Sequence, residues 1–250
     1  MTVMTEVGTL IGRSVRHTAR SVDATIVAIV LPVMILLTFV YVLGGAIDTG
    51  TDYLTYVVPG IVVLCAAHGS AMTATSVNHD LTTGMVDRIR SLPVVGASLL
   101  VGHVVAGVLR NLVSTAVVIA VAVLLGFRPA ASPLDWVLTT GLLALFMAAF
   151  GAIAAAWGLF VRGPEAAGAL AFVLLFLPYV SSAFVPPETM PAVLRGFAAH
   201  QPTTPVVETL RALLLGGAES SPAVPAVLWC AGLLVAGVAA AGALFRRRTS

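Results

Sequence analysis

The residues predict an all-α membrane protein: six transmembrane helices, an N-terminal interfacial amphipathic helix, a helical cytoplasmic loop and extracytoplasmic re-entrant helices before the last span. Hydrophobic residues make up 59% of the chain and charged residues only 10%, where a soluble domain carries roughly a quarter charged. The apolar residues also fall into runs near the roughly 20 residues needed to cross a hydrocarbon core. These runs are 24–44, 53–76, 111–127, 136–160, 167–185 and 224–245. What remains is two tails and five polar interruptions, so 1–250 reads as one membrane domain with no room for a soluble catalytic domain.

Within 1–23, Met4, Val7, Ile11, Val15 and Val22 share one helical face while Arg13, Arg16 and Arg20 share the opposite one. Such a helix lies in the interface with its arginines toward anionic headgroups or a docked partner; a frayed tail is the plainer alternative. The apolar run that follows is too long for a signal peptide. In the second span, His68 and Ser70 are two residues apart and point to different sides of a helix, so they do not form a base–nucleophile pair. Ser70, Thr73, Thr75 and Ser76 read as small polar residues that permit close helix packing.

The interruption at 77–98 holds the densest charge in the chain, Asp80, Asp87, Arg88 and Arg90. Leu81, Met85, Ile89 and Leu92 fall on one arc and Asp80, Asp87 and Arg90 on another, with Gly84 and Pro93 as breakers. It is either a short amphipathic helix lying along the membrane or a solvated connector. The third span is expected to start near Asn111, with 99–110 as a cytoplasmic extension of the same helix, because Arg110 inside the hydrocarbon core is costly. Pro178 is expected to kink the fifth span, and Pro186, Pro187 and Pro191 to end it. Segment 186–217 is too long and apolar for a simple loop. Val193, Leu194 and Phe197, then Val206, Val207, Leu210, Leu213 and Leu214, predict two short helices that dip into the outer leaflet or rest on it, with Glu208 and Arg211 satisfying each other at i, i+3.

All 13 strong cations are arginine. Arg13, Arg16, Arg20, Arg88, Arg90, Arg162, Arg246, Arg247 and Arg248 fall on the side of both termini, and Arg128, Arg195 and Arg211 on the other, so both ends are expected in the cytoplasm. The lysine-free, alanine- and valine-rich composition fits a GC-rich bacterial genome, hence a multi-pass protein of the bacterial inner membrane. A net charge of +2 gives no reason to expect a nucleic-acid partner. Cys65 and Cys230 lie inside spans, and the five histidines are scattered without ligand spacing, so neither a disulfide framework nor a metal site is expected. Without lysine there is no phosphate-binding loop, so the chain is not expected to be an enzyme and any ATP must be hydrolysed elsewhere. Few ionisable groups lie at mid-span apart from His68, and inverted repeats are not evident. Both points weigh against a secondary transporter or channel, and a structural membrane protein leaves the mixed-charge loop unexplained; these remain the alternatives.

Asp80, Gly84, Asp87-Arg88 and Arg90-Ser-Leu-Pro93 together resemble the cytoplasmic loop of permease subunits of type 2 ABC exporters. Leu177-Pro178 through Pro186-Pro187 and Pro191, then Gln201-Pro202-Thr203 and Glu208 to Arg211, resemble that family's extracytoplasmic gate region. This chain has Ser182-Ala183 where Ser-Gly is usual, Gln201-Pro202 where Asn-Pro is usual, and Gly84-Met85 where Gly-Thr is usual. The resemblance runs over essentially the whole chain and is nearest to the daunorubicin-resistance type. It implies a permease that pairs with a second copy or a paralogous permease and with two ATP-binding cassette subunits, which hold ATP and Mg. It implies export of a hydrophobic or amphiphilic drug, antibiotic or lipid. Arg13, Arg16, Arg20, Asp80, Gly84, Asp87, Arg88, Arg90 and Pro93 would then contact the ATPase, with Arg162–Glu165 as a smaller contact. The substrate path or gate would draw on Phe39, Tyr53, Tyr56, Tyr179, Ser181, Ser182, Phe184, Pro186, Glu208 and Arg211; Tyr53 and Tyr56 also suit an interfacial aromatic belt.

Overall fold

The protein is described here by a computed structural model covering residues 22–46, 52–83, 96–216 and 222–249. In chain order it comprises α1 (Val22–Leu37), continued by a π-helical turn (Thr38–Leu43), α2 (Tyr53–Thr82), α3 (Gly96–Leu124), α4 (Pro133–Phe160) and α5 (Pro164–Tyr179). A 3-10 turn (Pro187–Thr189), α6 (Ala192–His200), α7 (Thr203–Leu215) and α8 (Ala223–Thr249) follow. The described residues contain no strand. Four helices are long and apolar enough to cross a membrane, over Tyr53–Thr82, Leu100–Leu124, Pro133–Phe160 and Ala223–Arg247, and Ile29–Leu43 and Pro164–Tyr179 are shorter apolar helices.

Local chemistry sets the helix ends. The Asp52 carboxylate accepts from the Thr55 amide at 3.1 Å and starts α2. Ser132 and Asp135 form a capping box around Pro133 at the start of α4. Arg128 donates to the Val123 carbonyl at 2.7 Å, beside Gly126, whose φ of +114° turns the chain after α3. In α1, the Thr38 hydroxyl donates to the Met34 carbonyl at 2.8 Å, where α geometry gives way to the wider π turn that carries Phe39.

The central helix is α2, packed against α1, α3, α4, α5 and α7, and most of its residues are buried. Between membrane helices the apolar driving force is weak, so close backbone approach and polar side chains hold the bundle. A Cβ on Gly158 of α4 would stand 2.4 Å from the Ala74 carbonyl of α2, and one on Gly237 of α8 would stand 2.8 Å from the Ile153 amide nitrogen of α4. Asn111 donates to the Ala66 carbonyl at 2.7 Å, joining α3 to α2. Asn78 donates to the Gly158 and Val161 carbonyls, both at 3.1 Å, joining α2 to the end of α4. Ser70 donates within its own helix to Ala66 at 2.7 Å and lies 3.3 Å from the Met147 carbonyl of α4, in the packing role its size suggested.

Several expected boundaries move. Residues 77–82, assigned to the cytoplasmic loop, continue α2, which at 30 residues is about 45 Å long and overruns a hydrocarbon core of roughly 30 Å. The third helix is continuous from Gly96 and includes the expected extension, with Arg110 half-buried in it. The fifth apolar run is not a kinked helix reaching 185. It ends at Tyr179, one residue after Pro178. Proline supplies no amide hydrogen and its ring crowds the carbonyl four residues back, and here the downstream chain has better partners than a continued helix.

Among the described residues, Arg128 and Arg211 lie at one end of the bundle and Arg162 and Arg246 at the other. The Ala130 amide donates to the Leu214 carbonyl at 2.9 Å, bringing the Arg128 turn to the end of α7, which carries Arg211. At the other end Asn78 meets Val161 beside Arg162, and Val77, Leu159 and Ala241 share a cluster below Arg246.

Candidate functional site: a clasped helix break

Beyond Tyr179 the backbone leaves the helix, yet residues 181–184 are buried. Buried carbonyls without partners are costly, most of all in an apolar medium, so each needs a donor. The Gln201 side-chain amide, between α6 and α7, donates to the Leu177 carbonyl at 3.2 Å and the Val180 carbonyl at 2.6 Å. The Ser181 hydroxyl donates to the Pro178 carbonyl at 2.6 Å and accepts from the Ala183 amide at 3.1 Å. The Tyr56 hydroxyl donates to the Ser182 carbonyl at 3.1 Å, and Nη2 of Arg211 reaches the same oxygen at 2.9 Å. The Tyr53 hydroxyl donates to the Phe184 carbonyl at 3.3 Å. The break is therefore held by side chains from α2, α7 and the α6–α7 elbow.

Arg211 is the hub of this clasp. Its Nη1 donates to the Glu208 carboxylate at 2.7 Å, as the i, i+3 spacing predicted, and its Nη2 also reaches the Tyr56 carbonyl at 3.2 Å. Its guanidinium lies 4.0 Å from the centroid of the Tyr56 ring, a cation–π contact. On the apolar side, Phe39 stacks on Phe184 at 4.3 Å between centroids and Tyr179 stacks on Phe184 at 4.9 Å. The break presses onto α2 at Gly60, where a Cβ would stand 2.5 Å from the Ala183 carbonyl.

Of the residues predicted for a path or gate, Phe39, Tyr53, Tyr56, Tyr179, Ser181, Ser182, Phe184, Glu208 and Arg211 meet in this one assembly. Pro186 stands at its rim, its carbonyl accepting from the Thr189 hydroxyl at 2.7 Å. The Tyr53 and Tyr56 hydroxyls both serve backbone carbonyls of the break. Gln201 falls within the gate-region resemblance but was not singled out as a site residue, and Gly60 was missed. The signals available were a polar residue between proline-bounded apolar helices and a Pro59-Gly60 pair inside an apolar run.

The two predicted short helices are present as α6 and α7 and differ in burial. Val206, Val207, Leu210, Leu213 and Leu214 of α7 are buried, whereas Val193, Leu194 and Phe197 of α6 are exposed. At the opposite end of the bundle, Asp80 Oδ2 lies 3.1 Å from His103 Nε2, tying α2 to α3. Arg13, Arg16, Arg20, Gly84, Asp87, Arg88, Arg90 and Pro93 lie outside the described residues.

Fold and site together define a polytopic helical membrane protein with a buried, non-helical element clasped at one end of the bundle. Residues 5–215 match the ABC-2 type transporter family, and the chain belongs to that family. It is 33% identical over 176 residues to the daunorubicin resistance ABC transporter permease protein DrrB1 of Streptomyces coeruleorubidus, covering 70% of this chain and 62% of that one. It is 31% identical over 194 residues to the probable doxorubicin resistance ABC transporter permease protein DrrC of Mycobacterium tuberculosis, covering 74% of this chain and 68% of that one.

Proposed function

We propose that the chain is the transmembrane subunit of an ATP-driven exporter and that the clasped break is its extracytoplasmic gate. The carrying observation is that the break is closed by side-chain bonds to backbone carbonyls, from Gln201, Tyr56, Tyr53 and Arg211. A closure of that kind opens when α2 and α7 separate, without any helix having to unfold. Family membership and the drug-resistance names of the relatives support the exporter reading.

In this reading α1 with its π turn, α2, α3, α4, α5 and α8 are six spans, both termini are cytoplasmic, and α6 and α7 re-enter the outer leaflet. Two ATP-binding cassette subunits, which hold ATP and Mg, dock on Arg13, Arg16, Arg20, on Asp80 near the end of α2, and on the loop after it with Gly84, Asp87, Arg88, Arg90 and Pro93. A second permease, identical or paralogous, completes the path. The Asp80–His103 contact stiffens the root of that loop, so that closure of the motor moves α2 and α3 together and pulls Tyr53, Tyr56 and Gly60 from the break. The aromatic stack of Phe39, Tyr179 and Phe184 suits an amphiphilic or apolar cargo, a drug, antibiotic or lipid, taken from the cytoplasm or inner leaflet.

The test is co-purification and ATPase activity in lipid nanodiscs with the candidate ATPase, comparing the parent chain with the combined Asp87→Ala, Arg88→Ala and Arg90→Ala change. Activity that depends on the permease and is lost in the variant is expected. Failure of the parent chain to bind any ATPase would sink the proposal.

A further inference from the structure

We infer that Arg110 holds the phosphate of an anionic phospholipid against the flank of α3, in the leaflet at the Asp80 end of the bundle. Arg110 stands midway along the 29 residues of α3, which ends at Leu124. The helix between Arg110 and Leu124 is about 21 Å long, so a hydrocarbon core of roughly 30 Å that ends at Leu124 reaches about 9 Å past Arg110. The residue therefore starts inside the hydrocarbon region, where an arginine is costly and needs a polar partner. The described chain supplies none. Its ion pairs are Asp80–His103 and Glu208–Arg211, and the Arg110 guanidinium bonds to no described residue. The next residue, Asn111, is turned into the core, 2.7 Å from the Ala66 carbonyl, which puts Arg110 about 100° away on the flank of the helix. Leu109 is 46% exposed and Val113 63%, so this flank borders the outward face of α3.

The occupant follows from the charge and from the medium. Side chains on a helix tilt toward its N-terminus, and a long cation lays its stem along apolar surface with its head toward polar surroundings. The N-terminus of α3 is at the Asp80 end, where His103, seven residues before Arg110 and on the same face, meets Asp80 at 3.1 Å. That direction carries the guanidinium toward the depth of the lipid phosphates, and a phosphate accepts two of its N–H groups as a bidentate pair. A net anionic head is favoured over one that ends in choline or ethanolamine. Asp80, the acid at this end of α2 and α3, is already engaged by His103 and leaves no carboxylate for an ammonium group. The exposed apolar neighbours Leu109 and Val113 suit the acyl chains below such a head and give a soluble anion nothing to rest on. This inference needs the chain to span a bilayer; it does not need ATP-driven export, and its failure leaves the exporter reading standing.

The experiment uses the full chain in nanodiscs with a bimane label on Val113→Cys, one helical turn from Arg110; the native Cys65 and Cys230 are buried. Chain-brominated phosphatidylglycerol and chain-brominated phosphatidylcholine are each added at low mole fraction to unbrominated phosphatidylcholine. The ratio of their quenching gives the preference for one head over the other at this face. A preference for phosphatidylglycerol of about fivefold is expected, the scale of one basic residue acting on an anionic lipid. Arg110→Gln should abolish the preference, and Arg110→Lys should keep part of it, since an ammonium retains the charge without the bidentate geometry. Glycerol 1-phosphate in the buffer should leave the preference unchanged. Equal quenching by the two lipids in the parent overturns the inference, and so does a preference that survives Arg110→Gln. Loss of the preference in glycerol 1-phosphate would mean a soluble-anion site, and a label that neither lipid quenches would mean that a second permease covers the face; each would equally overturn it.

Discussion

Arg211→Met separates a clasp held by bonds to carbonyls from one held by an ion pair. The substitution keeps most of the stem but removes the donors to the Ser182 carbonyl at 2.9 Å and the Tyr56 carbonyl at 3.2 Å, with the cation–π contact. Hydrogen bonds from a charged group contribute roughly 1.5–3 kcal/mol each. Ser182 keeps its bond from the Tyr56 hydroxyl, which pulls the loss toward the lower end of that range. The ring contact adds about 1 kcal/mol. The Glu208 side chain is 37% exposed, so its pairing contributes less than about 1 kcal/mol after screening. The clasp therefore weakens by about 3–5 kcal/mol, in line with removing one partner of a buried charged network. At about 1.4 kcal/mol per tenfold, the open population rises on the order of a hundredfold to a thousandfold. Ser182 is fully buried and its hydroxyl has no partner, so Ser182→Cys is a nearly isosteric reporter. The native Cys65 and Cys230 are buried and provide the background. A membrane-impermeant maleimide should label that cysteine faster by about two orders of magnitude or more in the Arg211→Met background. Glu208→Gln should change the rate by no more than about fivefold. Equal rates in Arg211→Met and the parent, or a larger effect from Glu208→Gln, would refute the reasoning.

Gly60→Ala places a Cβ against the backbone of Ala183 and should lower stability by about 1–3 kcal/mol through overpacking, read as a reduced Tm in detergent. Gln201→Leu leaves the Leu177 and Val180 carbonyls without their donor, and should raise maleimide labelling at Ser182→Cys while leaving hydrogen exchange at the Asn78 end of α2 unchanged. Asn78→Leu removes both bonds to the end of α4 and should cost about 0.6–1.7 kcal/mol, the range measured for hydrogen bonds inside membrane proteins. The readout is faster hydrogen exchange in the last turn of α4 without any change in Ser182→Cys labelling; an effect at the clasp instead would show that the two ends of α2 are coupled.

The helices were legible because hydropathy acts on each segment independently: a run such as 224–245 must span or be buried whatever its neighbours do, and α8 follows it closely. The Glu208–Arg211 pair was legible for a related reason, since i, i+3 spacing fixes the contact within one helix. The π turn at Phe39 and the overrun of α2 past Ser76 were not, because both depend on what the adjoining helices offer in packing and hydrogen bonds.

By itself the sequence determined an all-helical membrane chain and a set of aromatic and polar residues around Pro178 that belong together. Only the tertiary structure decided that α5 stops at Tyr179 and that the chain beyond it is buried without being helical. The reason is that a side-chain donor and the carbonyl it serves obey no sequence period. Gln201 reaches Val180 across 21 residues and Tyr53 reaches Phe184 across 131, and such partners become visible only when α2, α7 and the end of α5 are packed together.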